Sequence, residues 1–193
     1  MARPKQSESQ NTRALALEQA NVLLHARGFL GVSMDEIAKA IGVRKASLYH
    51  HFPDGKEQII LEIAMQIMQA FETRLLAALH GKTQTRERLV AIAHWRLAGP
   101  LGTERRVREA ASHMSAASQQ QIFQALMGQL ITPIHQVFLE GVRTGELQNH
   151  NTHLVSTAFM SVISELGELG QAPASDAEVE DVVNLFLHGI GAR

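Results

Sequence analysis

The chain has 193 residues, of which 45% are apolar and 19% charged, and its formal net charge is −1. That is enough apolar content for one or two buried cores, and the near-neutral charge excludes a uniformly basic nucleic-acid coat. There is no cysteine, which excludes disulfides, thiolate catalysis, thiol redox sensing and cysteine-based zinc modules.

Residues 1–13, MARPKQSESQNTR, lack the apolar core of a secretory signal, and no stretch offers about 18 consecutive apolar residues for a membrane span. The expectation is a cytoplasmic chain that does not enter a membrane. Arg3, Lys5 and Arg13 leave two readings of this start: an inert polar tail, or an arm that follows a DNA groove.

The first helix is expected within RALALEQANVLLHARGF, where Leu17, Ala20, Leu23 and Leu24 recur at helical spacing and Gly28 stops the helix before Phe29. Ser33 and Glu36, three apart before an apolar run, form a capping box that starts a second helix. Ile37, Ala38 and Ile41 give it one apolar face, and Gly42 provides a sharp turn without a Cβ penalty. In the helix that follows from Val43, Ala46, Leu48 and Phe52 are expected inward. Arg44, Lys45, Ser47, Tyr49 and His50 are residue types that reach phosphates and base edges. Pro53 breaks this helix, and Asp54 with Glu57 is expected to cap the next.

The fourth helix carries Ile59, Ile60, Ile63, Ile67, Phe71, Leu75 and Leu79 and ends at Gly81. Two shorter helices, Arg86 to Leu97 and Glu104 to Met114, flank the breaker-rich residues 98–102. A seventh runs from Ser118 to Arg143 with Pro133 as a kink, and Gly145 closes it. The last two, Thr152 to Leu169 and Asp176 to Leu187, are joined by Gly170 to Ser175, with Ser175 and Glu178 as another capping box. No Val, Ile and Thr alternation is long enough to propose a strand, so the fold class is all-α, with about nine helices.

Charge is divided unevenly. Residues 1–56 hold eight Lys or Arg against five Asp or Glu, and residues 57–193 hold ten against fourteen. Attraction to phosphate is therefore concentrated at the N-terminal end.

Taken alone, Ser33 to Phe52 fits an ordinary helical hairpin with a solvated basic face as well as it fits a helix-turn-helix. The flanking residues separate the two. Leu17, Ala20, Leu23, Gly28, Phe29, Ser33, Ile37, Ala38, Gly42, Val43, Leu48, Tyr49, His51, Phe52 and Lys56 together closely resemble the N-terminal domain of the TetR family, the tetracycline-repressor-like bacterial regulators. The resemblance covers residues 13–60. It implies a three-helix DNA-binding domain at residues 1–54 and a larger helical effector-binding and dimerisation domain at residues 55–193. The implied function is a transcriptional regulator, most often a repressor, acting on a double-stranded and palindromic operator. Candidate DNA contacts are Ser33, Arg44, Lys45, Ser47, Tyr49, His50 and Lys56.

Three positions depart from the family pattern. Arg44 stands where a small hydroxyl residue more often caps the recognition helix, so capping is weakened and Arg44 becomes the leading specificity residue. Val32 replaces a frequent Thr. The turn FPDGKEQ is one residue longer than usual, which alters how Lys56 is presented to phosphate.

The resemblance also implies an effector cavity and a homodimer. For the cavity, His94, Trp95, His113, Phe123, Met127, Phe159 and Glu165 are the candidates, with Leu126, Phe138 and Arg96 nearby in the pattern. Each aromatic taken singly is more often simple core packing, and only the cluster points to a cavity. For the homodimer, residues 152–169 and 176–190 carry Val155, Phe159, Val162, Ile163 and Leu166, and Val179, Val182, Val183, Phe186 and Ile190. An intramolecular core would use the same residues.

Ten histidines are present, but neither His50 with His51 nor His150 with His153 completes a metal-ligand spacing, so no metal and no cofactor is expected. Two other readings of the chain stay open: a helical enzyme using pocket His, Ser or Glu residues, and a DNA-binding architectural module without an effector. Against the enzyme, there is no GxSxG elbow, no Walker-type loop and no suggestive carboxylate pair, so no catalytic residue is assigned.

Overall fold

The computed structural model describes residues 5–99, 103–169 and 174–189. All regular structure in them is helical: α1 (Lys5–Arg27), α2 (Met34–Ala40), α3 (Lys45–His51), α4 (Lys56–Leu79), α5 (Thr85–Leu97), α6 (Thr103–Ala111), α7 (Ala116–Leu126), α8 (Thr132–Thr144), α9 (Thr152–Leu169) and α10 (Asp176–His188). A π-helical segment, Met127–Ile131, makes α7 and α8 one continuous rod, so nine helices are present among the described residues. Arg3, the Pro100 to Gly102 breaker, residues 170–173 of the last linker and Ile190 lie outside the described residues.

The chain packs as two compact units, residues 1–67 with 105–124, and residues 68–104 with 125–193. The first turns of α4, all of the described α6 but its first two residues, and most of α7 join the N-terminal helices.

In the first unit, Ala16, Leu17 and Ala20 of α1, Ile37 and Ala38 of α2, Leu48 of α3, Phe52, and Ile59 and Ile63 of α4 form one core. A second cluster unites Ile60 and Ala64 of α4 with Ala111, Met114 and Ile122. From Lys5 onward the polar N-terminal stretch is part of helix α1. Arg13 is held inside the unit, its guanidinium 2.6 Å from Glu62 and 5.1 Å from the centre of the Phe52 ring.

Helix starts follow the capping chemistry read from the sequence at two places and depart from it at a third. Ser33 with Glu36 and Ser175 with Glu178 both form complete capping boxes. Asp54 does not cap α4: its backbone N–H donates to Gln58 Oε1, and Gly55, at φ +70°, makes the turn instead. Only a residue tolerant of the left-handed region fits there. Glu57 is drawn elsewhere. Its Oε1 accepts from the Ser115 N–H at 3.0 Å, from the Ser115 hydroxyl, and from the Ser118 hydroxyl at 2.6 Å. One carboxylate thus ties the first turn of α4 to the junction of α6 and α7.

In the second unit α5 packs against α8, α9 and α10. Gln84 gives the start of α5 no side-chain cap, and Glu146 supplies one from 61 residues away by accepting from the Thr85 N–H at 2.7 Å. Gly141 permits this approach, since a Cβ there would stand 2.8 Å from both Leu147 Cδ1 and Thr85 Oγ1. Pro133 lies inside the continuous rod of α7 and α8, as expected, in the first turn of α8 directly after the π-helical segment. Proline lacks the N–H that would bond four residues back and its ring crowds that carbonyl, and the wider π turn relieves both conflicts. By length and composition the rod Ala116–Thr144 could cross a membrane, with a mean hydropathy of 1.2 over its most apolar window. Part of its apolar surface is used in packing: Ile122 is buried in the first unit and Ile134, Val137 and Phe138 in the second, whereas Phe123 and Leu139 are exposed.

The hydroxyls and amide on Glu57 hold its carboxyl below the ordinary carboxylate value of 4.5, the Ser115 hydroxyl contributing most. A depressed folded-state value means that the stabilisation is present above the unfolded pKa and is lost as pH falls through the folded one. Glu57→Gln is therefore expected to lower the urea midpoint at pH 7 and to shrink the loss of stability between pH 5 and pH 3. Equal acid sensitivity of the two proteins would rule out this role for the carboxylate.

Candidate nucleic-acid interface and effector cavity

Helix α3 has seven residues and one anchor. Leu48 is fully buried, as is Phe52 just beyond the helix end, whereas residues 44–47, 49 and 50 are exposed. At about 100° per residue, the direction opposite Leu48 falls between Ala46 and His50, with Lys45, Ser47 and Tyr49 on the flanks. Ala46 therefore faces solvent, contrary to the inward position expected for it. An inward Leu48 and an inward residue two before it are incompatible on one helix, and that spacing was the signal available in the sequence. At the centre of such a face a methyl group suits contact with the thymine methyl.

Arg44 occupies the N-cap of α3 in extended conformation, at φ −77° and ψ 144°, and its side chain makes no capping bond. The weakened cap expected from the sequence is what the structure has. Its guanidinium has no ion-pair or hydrogen-bond partner among the described residues, so all its donors face solvent. Lys45 is different, because its ammonium lies 2.6 Å from Asp35 Oδ2 on α2. Tyr49 is 41% exposed and lies over the turn at Gly55, where a Cβ would meet its Cε1 at 3.4 Å. His50 meets His51 edge-on at 5.7 Å between ring centres.

Besides Lys45, two of the expected DNA contacts are occupied within the protein. The Ser33 hydroxyl donates to Glu36 Oε2 and accepts the Glu36 N–H, so it serves the cap of α2. Arg27 pairs with the other oxygen of Glu36 at 2.6 Å. The Lys56 ammonium donates to the Phe29 carbonyl at 3.0 Å and stands 4.1 Å from the centre of the Phe29 ring. A cation over an aromatic face with a carbonyl acceptor is a satisfied internal arrangement.

The expected effector residues are divided between the two units. His94 and Trp95 line a cavity of about 930 Å³ in the second unit, together with residues of α4, α5 and α10. His113 belongs to the first unit, stacked on Phe29 at 5.5 Å. Phe123, also of the first unit, is 59% exposed. Met127 lies in the π-helical segment and Glu165 is exposed on α9. Phe159 is fully buried, its ring edge-on to Phe138 at 5.7 Å and to Phe186 at 5.2 Å. Of these, Phe159 is core packing. Buried Arg96 donates from Nε to Ser164 Oγ at 3.1 Å. Arg74, Lys82 and Arg86 also line the cavity and were not singled out from the sequence, because single cations scattered over two helices and the loop between them form no distinguishing pattern. Among the described residues no three of His, Cys, Asp and Glu come together as metal ligands.

Comparison with known proteins bears on both parts. Residues 16–63 match the family described as bacterial regulatory proteins, tetR family. The HTH-type transcriptional regulator LmrA of Bacillus subtilis is 30% identical over 81 residues, 42% of this chain and 43% of that protein. The chain thus aligns with less than half the length of that curated relative. Over nearly the whole chain the fold is that of solved regulators. FadR from Bacillus subtilis, in complex with stearoyl-CoA, superposes with a TM-score of 0.75 at 19% identity, covering 92% of this chain and 99% of that one. A regulator from Saccharomonospora viridis, in complex with choline, gives a TM-score of 0.74 at 25% identity, with coverages of 95% and 100%.

The pairing of Lys45 with Asp35 is exposed on both sides and contributes little stability. Asp35→Asn releases the ammonium. It is expected to tighten DNA binding a few-fold at low salt and to steepen the dependence of log affinity on log salt by about one phosphate contact. Unchanged affinity and slope in a fluorescence-anisotropy titration would place Lys45 off the phosphate backbone.

Proposed function

We propose that this chain, which belongs through residues 16–63 to the tetR family of bacterial regulatory proteins, is a DNA-binding repressor released from its operator by a small-molecule effector. The observation that carries the reading is the solvent face of α3. Arg44, Ala46, Ser47, Tyr49 and His50 are displayed together there by the burial of Leu48, and Arg44 has every donor free for base edges or phosphates.

The proposed active form is a homodimer through α9 and α10, residues 152–169 and 176–190, acting in the cytoplasm on a palindromic operator. Two recognition helices must be presented about 34–36 Å apart to enter successive major grooves on one face of DNA. Leu154 and Val162 on α9 and Leu185 on α10 are 64%, 37% and 39% exposed in the single chain, apolar surface that a second copy would cover. An effector acts by preferring the arrangement that does not fit the operator, and a full switch needs a preference of about 5.5 kcal/mol. The stearoyl-CoA and choline complexes of the structural neighbours support a ligand-binding role for the second unit. They differ too much from each other to specify the ligand.

Arg44→Ala is expected to cost about 1–3 kcal/mol on a specific operator and much less on random DNA. Equal losses on both would remove its specificity role. Val162→Asp together with Leu185→Asp is expected to give a monomer in analytical ultracentrifugation and to abolish tight operator binding. A variant that stays dimeric would move the interface away from α9 and α10.

A further inference from the structure

The cavity in the second unit combines three features. Its floor is small and apolar, built by Ala77, Ala78, Val90 and Ala91. Its volume of about 930 Å³ lies in the usual range for small-molecule sites. Its formal charges are unequal in kind. The guanidinium of Arg86 is taken up by Glu180 and Asn184, whereas Arg74 and Lys82 have no carboxylate partner among the described residues, against one unpaired carboxylate on the wall, Glu87.

The decisive feature is Trp95. Its side chain is 7% exposed, and its indole Nε1 is fully enclosed without any hydrogen-bond partner. A buried donor left unpaired is unfavourable and calls for an acceptor. Trp95 and Arg74 line the large cavity and also a small enclosed space of about 10 Å³, bounded further by Phe71, Arg96 and Gly99. That space is at the lower limit for one water molecule or one oxygen atom. A Cβ at Gly99 would stand 3.6 Å from Arg74 Nη2, so the guanidinium borders this space closely. Arg74 is exposed and long, so a change of rotamer joins the two spaces.

We propose that this cavity binds an organic carboxylate, its apolar body lying on the alanine floor and its carboxylate shared between the Arg74 guanidinium and the Trp95 indole N–H. The guanidinium fork matches a planar carboxylate, and a carboxylate oxygen is the acceptor that the indole lacks. This deepens the effector-responsive reading by giving the ligand a chemical class and a site.

Trp95 is the single tryptophan, so its fluorescence reports on the site directly. Decanoate titrated into the full chain is expected to shift Trp95 emission saturably, with decanol about tenfold weaker and choline without effect. Arg74→Gln should bring decanoate down to the level of decanol and leave decanol unchanged, a split that general unfolding would not produce. Trp95→Phe, followed by calorimetry, should weaken decanoate several-fold. Decanoate binding no better than decanol, choline binding more tightly than decanoate, or an Arg74→Gln protein that keeps full decanoate affinity would each overturn the proposal. Decyl phosphate matching decanoate would also overturn the carboxylate assignment. Operator affinity measured in the same samples separates the two readings. Decanoate bound without loss of operator affinity keeps the site and removes its regulatory role, and operator release by another ligand with decanoate unbound does the reverse.

Discussion

Everything the N-terminal unit presents to solvent depends on the burial of Leu48 and Phe52. Helix α3 is seven residues long, well below the length at which an isolated helix holds together in water. It exists because these two side chains, both fully buried, close the core built by α1, α2 and the start of α4. Burying each contributes about 1.5–3 kcal/mol. Once Leu48 is fixed inward, the helical repeat leaves no freedom over which residues face outward.

That same constraint sorts the polar residues around α3 into two groups. Ser33, Lys56 and Arg13 spend their polar groups inside the unit, on Glu36, on Phe29 and on Glu62. Arg44, Ser47 and His50 remain at the surface. Lys45 stands between the groups, exposed but paired with Asp35. On the proposed reading of this face as the DNA contact, Arg44, unlike Lys45 and Lys56, is a cation whose donors are not already engaged within the protein.

The same economy of polar groups explains the second unit. Glu146 caps a helix that has no cap of its own, Arg86 is engaged by α10, and Arg96 is tied to α9. Against that background the enclosed Trp95 indole N–H and the enclosed Gln129 Oε1 are left without a partner, and of the two the indole lies beside an unpaired arginine at a cavity. The proposed carboxylate would supply the acceptor that the indole lacks. The Glu57 carboxylate has the opposite character, satisfied by three donors, and it fixes the start of α4 against the junction of α6 and α7 within the first unit.

The sequence by itself determined the helices, two of the capping boxes, the turn glycines at residues 28, 42, 81 and 145, and the identity of the recognition helix. These are encoded by neighbours within about four residues, the range over which caps and helical faces act. Tertiary structure decided what depends on distant partners. It placed Lys56 on Phe29, Glu57 on Ser115 and Ser118, and Phe159 between two other rings. It also grouped residues 105–124 with the N-terminal helices and placed Arg74 beside Trp95. A long polar side chain has several acceptors of equal quality in the sequence, and only packing selects which of them is within reach.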